Sequence, residues 1–312
     1  MIANSDLFPL RGLCVGISIS AGDSGIPDGE NADTFVNRLS FETGSHYLSL
    51  GASIALGHMW RPDGVMQHLA RRASEFRHSF VETSSPGRRA TIINRIAWPD
   101  ALPIFDHDQA DQLADILDAR EVLPPGILTE GLDLSSRLGQ YARIRALTAM
   151  RHELVQESDF RICMGGAASN PMRRLPGVIE EALLTYRLSK PLYLAAAFGG
   201  VTKALCDVIL HRPAINIEEA FRTPSDAIAL FQEFQRDYPC DAFGGPSQPN
   251  SAFDALSYAK SISIAKLATQ AHLSEDDLLT LMTTPDIERA MQLIGLGISS
   301  SRKLPSDANS VM

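Results

Sequence analysis

Short apolar runs alternate with longer stretches of helical period through the first two thirds of the chain. Leu10 to Ser20 predicts a first strand, and behind it Phe35, Leu39, Tyr47 and Leu50 fall at helical spacing over about residues 31–50. Gly51 to Gly57 predicts a second strand and Val65 to Phe76 a second helix; Thr91 to Trp98 predicts a third strand, closed by Pro99. Asp106 to Arg120 is acidic and helical in period, Pro124-Pro125-Gly126 breaks the chain, and Leu138 to Val155 predicts a long helix. Arg161 to Met164 is a buried strand that runs into Gly165-Gly166. After a polar loop holding Arg173 and Arg174, Pro176 stands where a helix starts. Pro191 to Ala197 is a further strand, and Phe198-Gly199-Gly200 turns into a helix that ends near Leu210.

Strand, glycine turn and helix in repeated order predict an α/β fold on an open parallel sheet with helices on both faces. Two glycine turns in one unit are expected to leave free amide N–H groups at one sheet edge. That edge is where such sheets bind ligands, and helix N-termini there favour anions. Beyond Arg212-Pro213 the pattern is mainly helical. Residues 239–250 read as a loop, Ser274 as a helix cap with acids behind it, and Thr284-Pro285 as a second helix start with proline at its first position. The expected organisation is a core over 1–215, a helical part over 216–300 packed on it, and a flexible tail over 301–312.

Charge and cysteine use narrow the function classes. A net charge of −9 over 312 residues argues against a general nucleic-acid binder. The four cysteines, 14, 163, 206 and 240, lack C-x-x-C spacing and read as free thiols in a reducing compartment. The first residues lack the basic start and apolar run of a signal peptide, and no apolar run reaches membrane-spanning length. The expectation is a soluble cytoplasmic protein without membrane contact.

Several catalytic patterns are missing: there is no G-x-S-x-G elbow, no P-loop, and no metal spacing among the eight histidines, so no metal or cofactor is expected. What remains is an anion site with carboxylates nearby. Glu180 and Glu181 at a helix start bind ribose hydroxyls or stabilise a ribosyl cation, or else merely complement the helix dipole. Ser18 and Ser20 share one strand face, to meet a ligand or water. Asp63 either caps a helix or holds a ligand hydroxyl, and Trp98 either stacks on a base or fills the core.

An ordered set of segments carries a resemblance. Gly16 to Ser20, Gly57 with Arg61-Pro-Asp-Gly64, Ile96 to Pro99, Ala149-Met-Arg151, Gly165-Gly166, Pro176-Gly-Val-Ile-Glu-Glu-Ala182, Lys190 to Leu194 and Phe198-Gly-Gly200 together resemble the SLOG superfamily. That superfamily joins the DNA-processing Smf/DprA proteins, the "lonely guy" phosphoribohydrolases and the nucleotide-sensing domains of TRPM channels and bacterial defence proteins. The closest likeness is to the bacterial sensor-type branch. The resemblance implies a Rossmann-like sheet and a site for a nucleotide-derived ligand.

In the phosphoribohydrolases a glycine-rich, glutamate-glutamate motif holds phosphate and supplies the acid for the N-glycosidic bond. Arg151, Glu180 and Glu181 occupy roughly matching positions as catalytic candidates. Met164 replaces that motif's proline, a long loop separates Gly166 from Pro176-Gly177, and Val178 stands where threonine would follow glycine; these departures fit a sensor better than a hydrolase.

Three readings follow. In the first, glycine turns at 16, 57, 165 and 199 cradle an NAD-, ADP-ribose- or cyclic-nucleotide-like signal in defence or stress signalling. Arg151 and Arg174 offset its charge, and Asp63 with Glu180 or Glu181 accepts sugar hydroxyls. Ser18, Ser20, Gly64, Gly165, Gly166, Pro176, Gly177, Phe198, Gly199 and Gly200 complete that site. Its output is a separate effector protein, and a homodimer or higher oligomer is expected. In the second, a nucleotide N-glycosidase uses Glu181 or Glu180 with Arg151 as phosphate anchor. In the third, the pocket has decayed and the chain is a structural or partner-binding protein.

Overall fold

The computed structural model describes residues 8–20, 31–57, 65–80, 91–99, 113, 115–168, 174–213, 217–221, 223–238 and 252–303. Among them, β1 (Cys14–Ser20), β2 (Ser53–Leu56), β3 (Ile92–Ala97), β4 (Leu117–Val122), β5 (Phe160–Gly165) and β6 (Leu192–Ala195) form one sheet. The order is β4-β3-β2-β1-β5-β6, and every neighbouring pair is parallel. The sense in which successive strands are added to the sheet reverses between β1 and β5. This is the switch point at which an open α/β sheet leaves a crevice.

Burial explains which strands the apolar pattern predicts. Each residue of β3 and of β5 is buried, as in a parallel sheet covered on both faces. The edge strand β4 differs. Of Leu117-Asp-Ala-Arg-Glu-Val122 only the two ends are buried, so the part of 106–120 that is described corrects the helical expectation: it ends in a strand. Its polar positions are held from β3, where the Arg95 guanidinium donates to the Asp118 carbonyl at 2.9 Å and its carboxylate at 2.7 Å. Residues 100–112 lie outside the described residues.

Helices α1 (Ala32–Ser49) and α2 (Val65–Phe80) cover one face, packing Leu39, Met66 and Leu69 on Val15, Ile54 and Ile92. The long helix α3 (Arg137–Glu157) covers the other, where Tyr141, Ile144 and Leu154 meet Cys14, Ala55 and Ile93. Side chains alternate along a strand, so Gly16, Ser18 and Ser20 share the α3 face with their β5 register partners Arg161, Cys163 and Gly165. Helix α4 (Gly177–Arg187) follows β5 on that same face. Between the two helices Lys190 closes the C-terminus of α3: its Nζ donates to the carbonyls of Val155, Gln156 and Ser158 at 2.9, 2.7 and 2.7 Å. A cation there answers the negative end of the dipole.

After β6 come α5 (Gly200–Ile209), α6 (Ile217–Phe221), α7 (Ser225–Phe234), α8 (Ala252–Lys260), α9 (Ile264–Ala271), α10 (Glu275–Thr283) and α11 (Ile287–Lys303). Leu267, Leu281 and Ile294 of this helical part belong to the same apolar cluster as Val15 and Tyr193. Ser274 caps α10, accepting from the Asp277 amide at 3.1 Å. At the next start the cap is Asp286, which accepts from Glu288 N at 2.9 Å; Pro285 precedes it rather than opening the helix. Among the described residues no helix is long and apolar enough to cross a membrane.

Two glycines test this packing in opposite directions. Gly200 has φ +60°, and a Cβ there would sit 2.5 Å from the Gly165 and Gly166 backbone. Gly295 lies within α11 with open space around it. In urea unfolding, Gly200→Ala is expected to lose about 2 kcal/mol or more, whereas Gly295→Ala should gain about 0.5–1 kcal/mol.

Candidate functional site

At the carboxyl edge of the switch point, Ser20 of β1 pairs with Gly165 of β5. Gly165 and Gly166 have φ of +62° and +103°, and a Cβ on Gly166 would lie 2.5 Å from Val201. The two glycine turns are thus packed on each other. Their amides are spent on that packing: Gly166 N donates to Ser20 O (2.8 Å), Val201 N to Gly166 O (2.9 Å) and Gly199 N to Ala196 O (3.0 Å). Ala167 N reaches Ser20 Oγ at 3.2 Å. The expected cradle of free amides is therefore not formed by these four groups. Phe198 packs its ring into the core.

The charged groups lie beside this edge, where α4 begins. Pro176 is the cap residue and Gly177 the first helical one. The Arg151 guanidinium of α3 lies against Gly177, so close that a Cβ there would be 3.0 Å from Nη2. Glu180, in the first turn, is 2 % exposed. Its Oε2 accepts from Arg151 Nη1 at 2.5 Å and its Oε1 from Arg174 Nη2 at 2.8 Å. Burial alone would raise its pKa, but Arg174 and Arg151 more than offset this and hold it below the usual carboxylate range. Among the described residues, two arginines against one glutamate leave one positive charge in excess in this cluster.

Glu181 faces the strands instead. Arg161, at the start of β5, has no exposed surface, and its Nη1 donates to Glu181 Oε2 at 2.5 Å and to Ser18 Oγ at 2.7 Å. The Ser18 hydroxyl in turn donates to the Glu181 carboxylate. Neighbours in sequence, the two glutamates therefore belong to separate networks. Arg151, Arg174, Glu180 and Gly177 come together; Ser18 and Glu181 join Arg161.

Gly16 and Gly57 make room for side chains. Gly16 lies within β1, not in a turn, and a Cβ there would stand 2.8 Å from the Arg161 guanidinium. Gly57 follows β2 and admits Leu154 and Met150 of α3. Trp98 is 7 % exposed and packs in the core beneath α3. Asp63 and Gly64 lie outside the described residues, as do Arg173 and Cys240. Cys14, Cys163 and Cys206 are buried and form no disulfide among the described residues, and burial pushes the Cys163 thiol up to about 12.

A cavity of about 20 Å³ beside Glu180, lined also by Arg174, Leu184, Arg187 and Tyr258, has room for one water. Among the described residues no group of three or more His, Cys, Asp or Glu could hold a metal ion. Arg161 was not singled out by sequence reasoning. Its signal was a charge opening a strand that is otherwise buried.

Glu180→Gln removes the anion between two buried arginines, and denaturant unfolding at pH 7 should show a loss of about 3 kcal/mol. Because the folded-state pKa of Glu180 is depressed, its contribution is full above the unfolded carboxylate pKa and is lost as pH falls through the folded value. The difference between parent and variant should therefore shrink below about pH 4. A difference that stayed constant down to pH 2.5 would show that Glu180 carries no such charge.

The chain matches the family model described as SLOG cluster2 over residues 9–273, which takes in all six strands and α4 with both glutamates. No curated protein matches it. With a match over more than four fifths of its length, and with a six-stranded parallel sheet that agrees, the chain belongs to the SLOG cluster2 family.

Proposed function

We propose that this protein binds a nucleotide-derived anion of the NAD or ADP-ribose class at the carboxyl edge of β1 and β5, as a sensor that leaves the ligand intact. One observation carries the reading: among the described residues, the Arg151–Glu180–Arg174 cluster, buried at the N-terminus of α4, holds one positive charge in excess. Excess charge away from water is costly unless an anion joins it. Guanidinium groups suit phosphate oxygens, and the helix dipole adds to the attraction. Membership of the SLOG family supports a ligand of nucleotide origin.

The same cluster argues against turnover. Both oxygens of Glu180 are already bound by arginines, and Glu181 is bound by Arg161. A carboxylate so compensated has little charge left for a developing oxocarbenium ion. The alternative, nucleotide N-glycosidase activity, draws support from one fact: Glu180 is held ionised beside Arg151. As a sensor the chain would act in the cytoplasm, to which buried cysteines that form no disulfide among the described residues are suited, and would pass its state to a separate effector protein, as a dimer or higher oligomer, in defence or stress signalling.

Thermal-shift measurements with NAD, ADP-ribose, cyclic ADP-ribose isomers and nucleoside monophosphates, each followed by chromatography, test this directly. Stabilisation with the ligand recovered intact, and lost in Arg151→Ala, is the expected result. Release of free base that disappears in Glu180→Gln would establish the glycosidase instead. No shift with any ligand would leave only the partner-binding reading.

A further inference from the structure

Arg161 stands apart from the ligand cluster yet touches what orients it. Its guanidinium is fully buried, donates to Ser18 and Glu181 through Nη1, and reaches Ser158 Oγ through Nη2 at 3.5 Å. The absence of a side chain at Gly16 makes room for it. A buried ion pair is a poor source of stability, because apolar residues of similar volume often serve as well or better. What this one supplies is a fixed position. It ties α4 to β1 and β5, the strands flanking the switch point, through Ser18 and Glu181. With Glu181 held against the strands, the adjacent Glu180 is turned toward Arg151 and Arg174.

We infer that Arg161 is a positioning residue for the ligand site: it takes up the charge of Glu181 and so fixes the rotation of α4. Glu180 alone is then presented to the two arginines. The inference deepens the binding reading and rests on it for its ligand arm only. Arg161→Met by itself strands a buried carboxylate and can fail to fold. The informative variant is the double Arg161→Met/Glu181→Leu, which removes both charges; Arg161→Lys, which keeps the charge and loses the fork, carries the same measurements should the double variant not fold.

Amide hydrogen exchange across residues 177–181 is compared with exchange in α1 and α11, and ADP-ribose is titrated into each protein. The double variant is expected to melt near the parent temperature, with exchange in the first turn of α4 faster by about tenfold and unchanged elsewhere. Affinity for ADP-ribose should fall by about tenfold, as when a group that holds a ligating residue from behind is lost. Unchanged exchange in that turn overturns the positioning role, whatever the affinity. If the parent itself binds no nucleotide, the binding reading fails and the exchange measurement alone decides the role of Arg161.

Discussion

A carboxylate taken out of water must have its charge met, and α4 carries two in succession. Glu180 is met by Arg151 from α3 and Arg174 from the chain just before α4; Glu181 is met by Arg161 from β5. These pairings explain features that look unrelated along the chain. Gly16 sits within a strand because the Arg161 side chain crosses it. Gly177 opens α4 because Arg151 lies against it. Ser18 interrupts an apolar strand because it bridges Arg161 and Glu181. The first turn of α4 is thereby held in register with the switch point of the sheet.

The glycine turns serve the same end by another route. Gly165-Gly166 and Gly199-Gly200 bring the ends of β5 and β6 into backbone contact, which side chains would prevent. The amides of Gly166, Gly199 and Val201 are used internally, so in the proposed binding reading recognition of an anion would fall to arginines and the α4 dipole more than to a nest of free N–H groups. This division would give the proposed site its chemistry: cationic, held by buried ion pairs, and with both glutamates already met by arginines.

Much of the sheet was legible because buried parallel strands write themselves as apolar runs. The edge strand β4 was not, since Asp118 and Arg120 face solvent and the acidic run before it carries helical period. Residue resemblance named Arg151, Glu180 and Gly165-Gly166 together, yet it could not separate Glu180 from Glu181. Neighbours on a helix point about 100° apart, and only the packed partners decide which way each faces. Arg161 was hidden for a related reason: its partners lie 20 and 143 residues away. Whether an amide at a glycine turn is free depends on contacts equally remote in sequence.

The most direct test of a cationic, non-hydrolytic site is phosphorus NMR of ADP-ribose titrated with the protein. Binding at Arg151 and Arg174 predicts that both diphosphate resonances broaden or shift with added protein, that Arg151→Ala abolishes the effect, and that no new resonance grows with time. Unperturbed resonances, or a new phosphate signal accumulating at the expense of the starting pair, would contradict it.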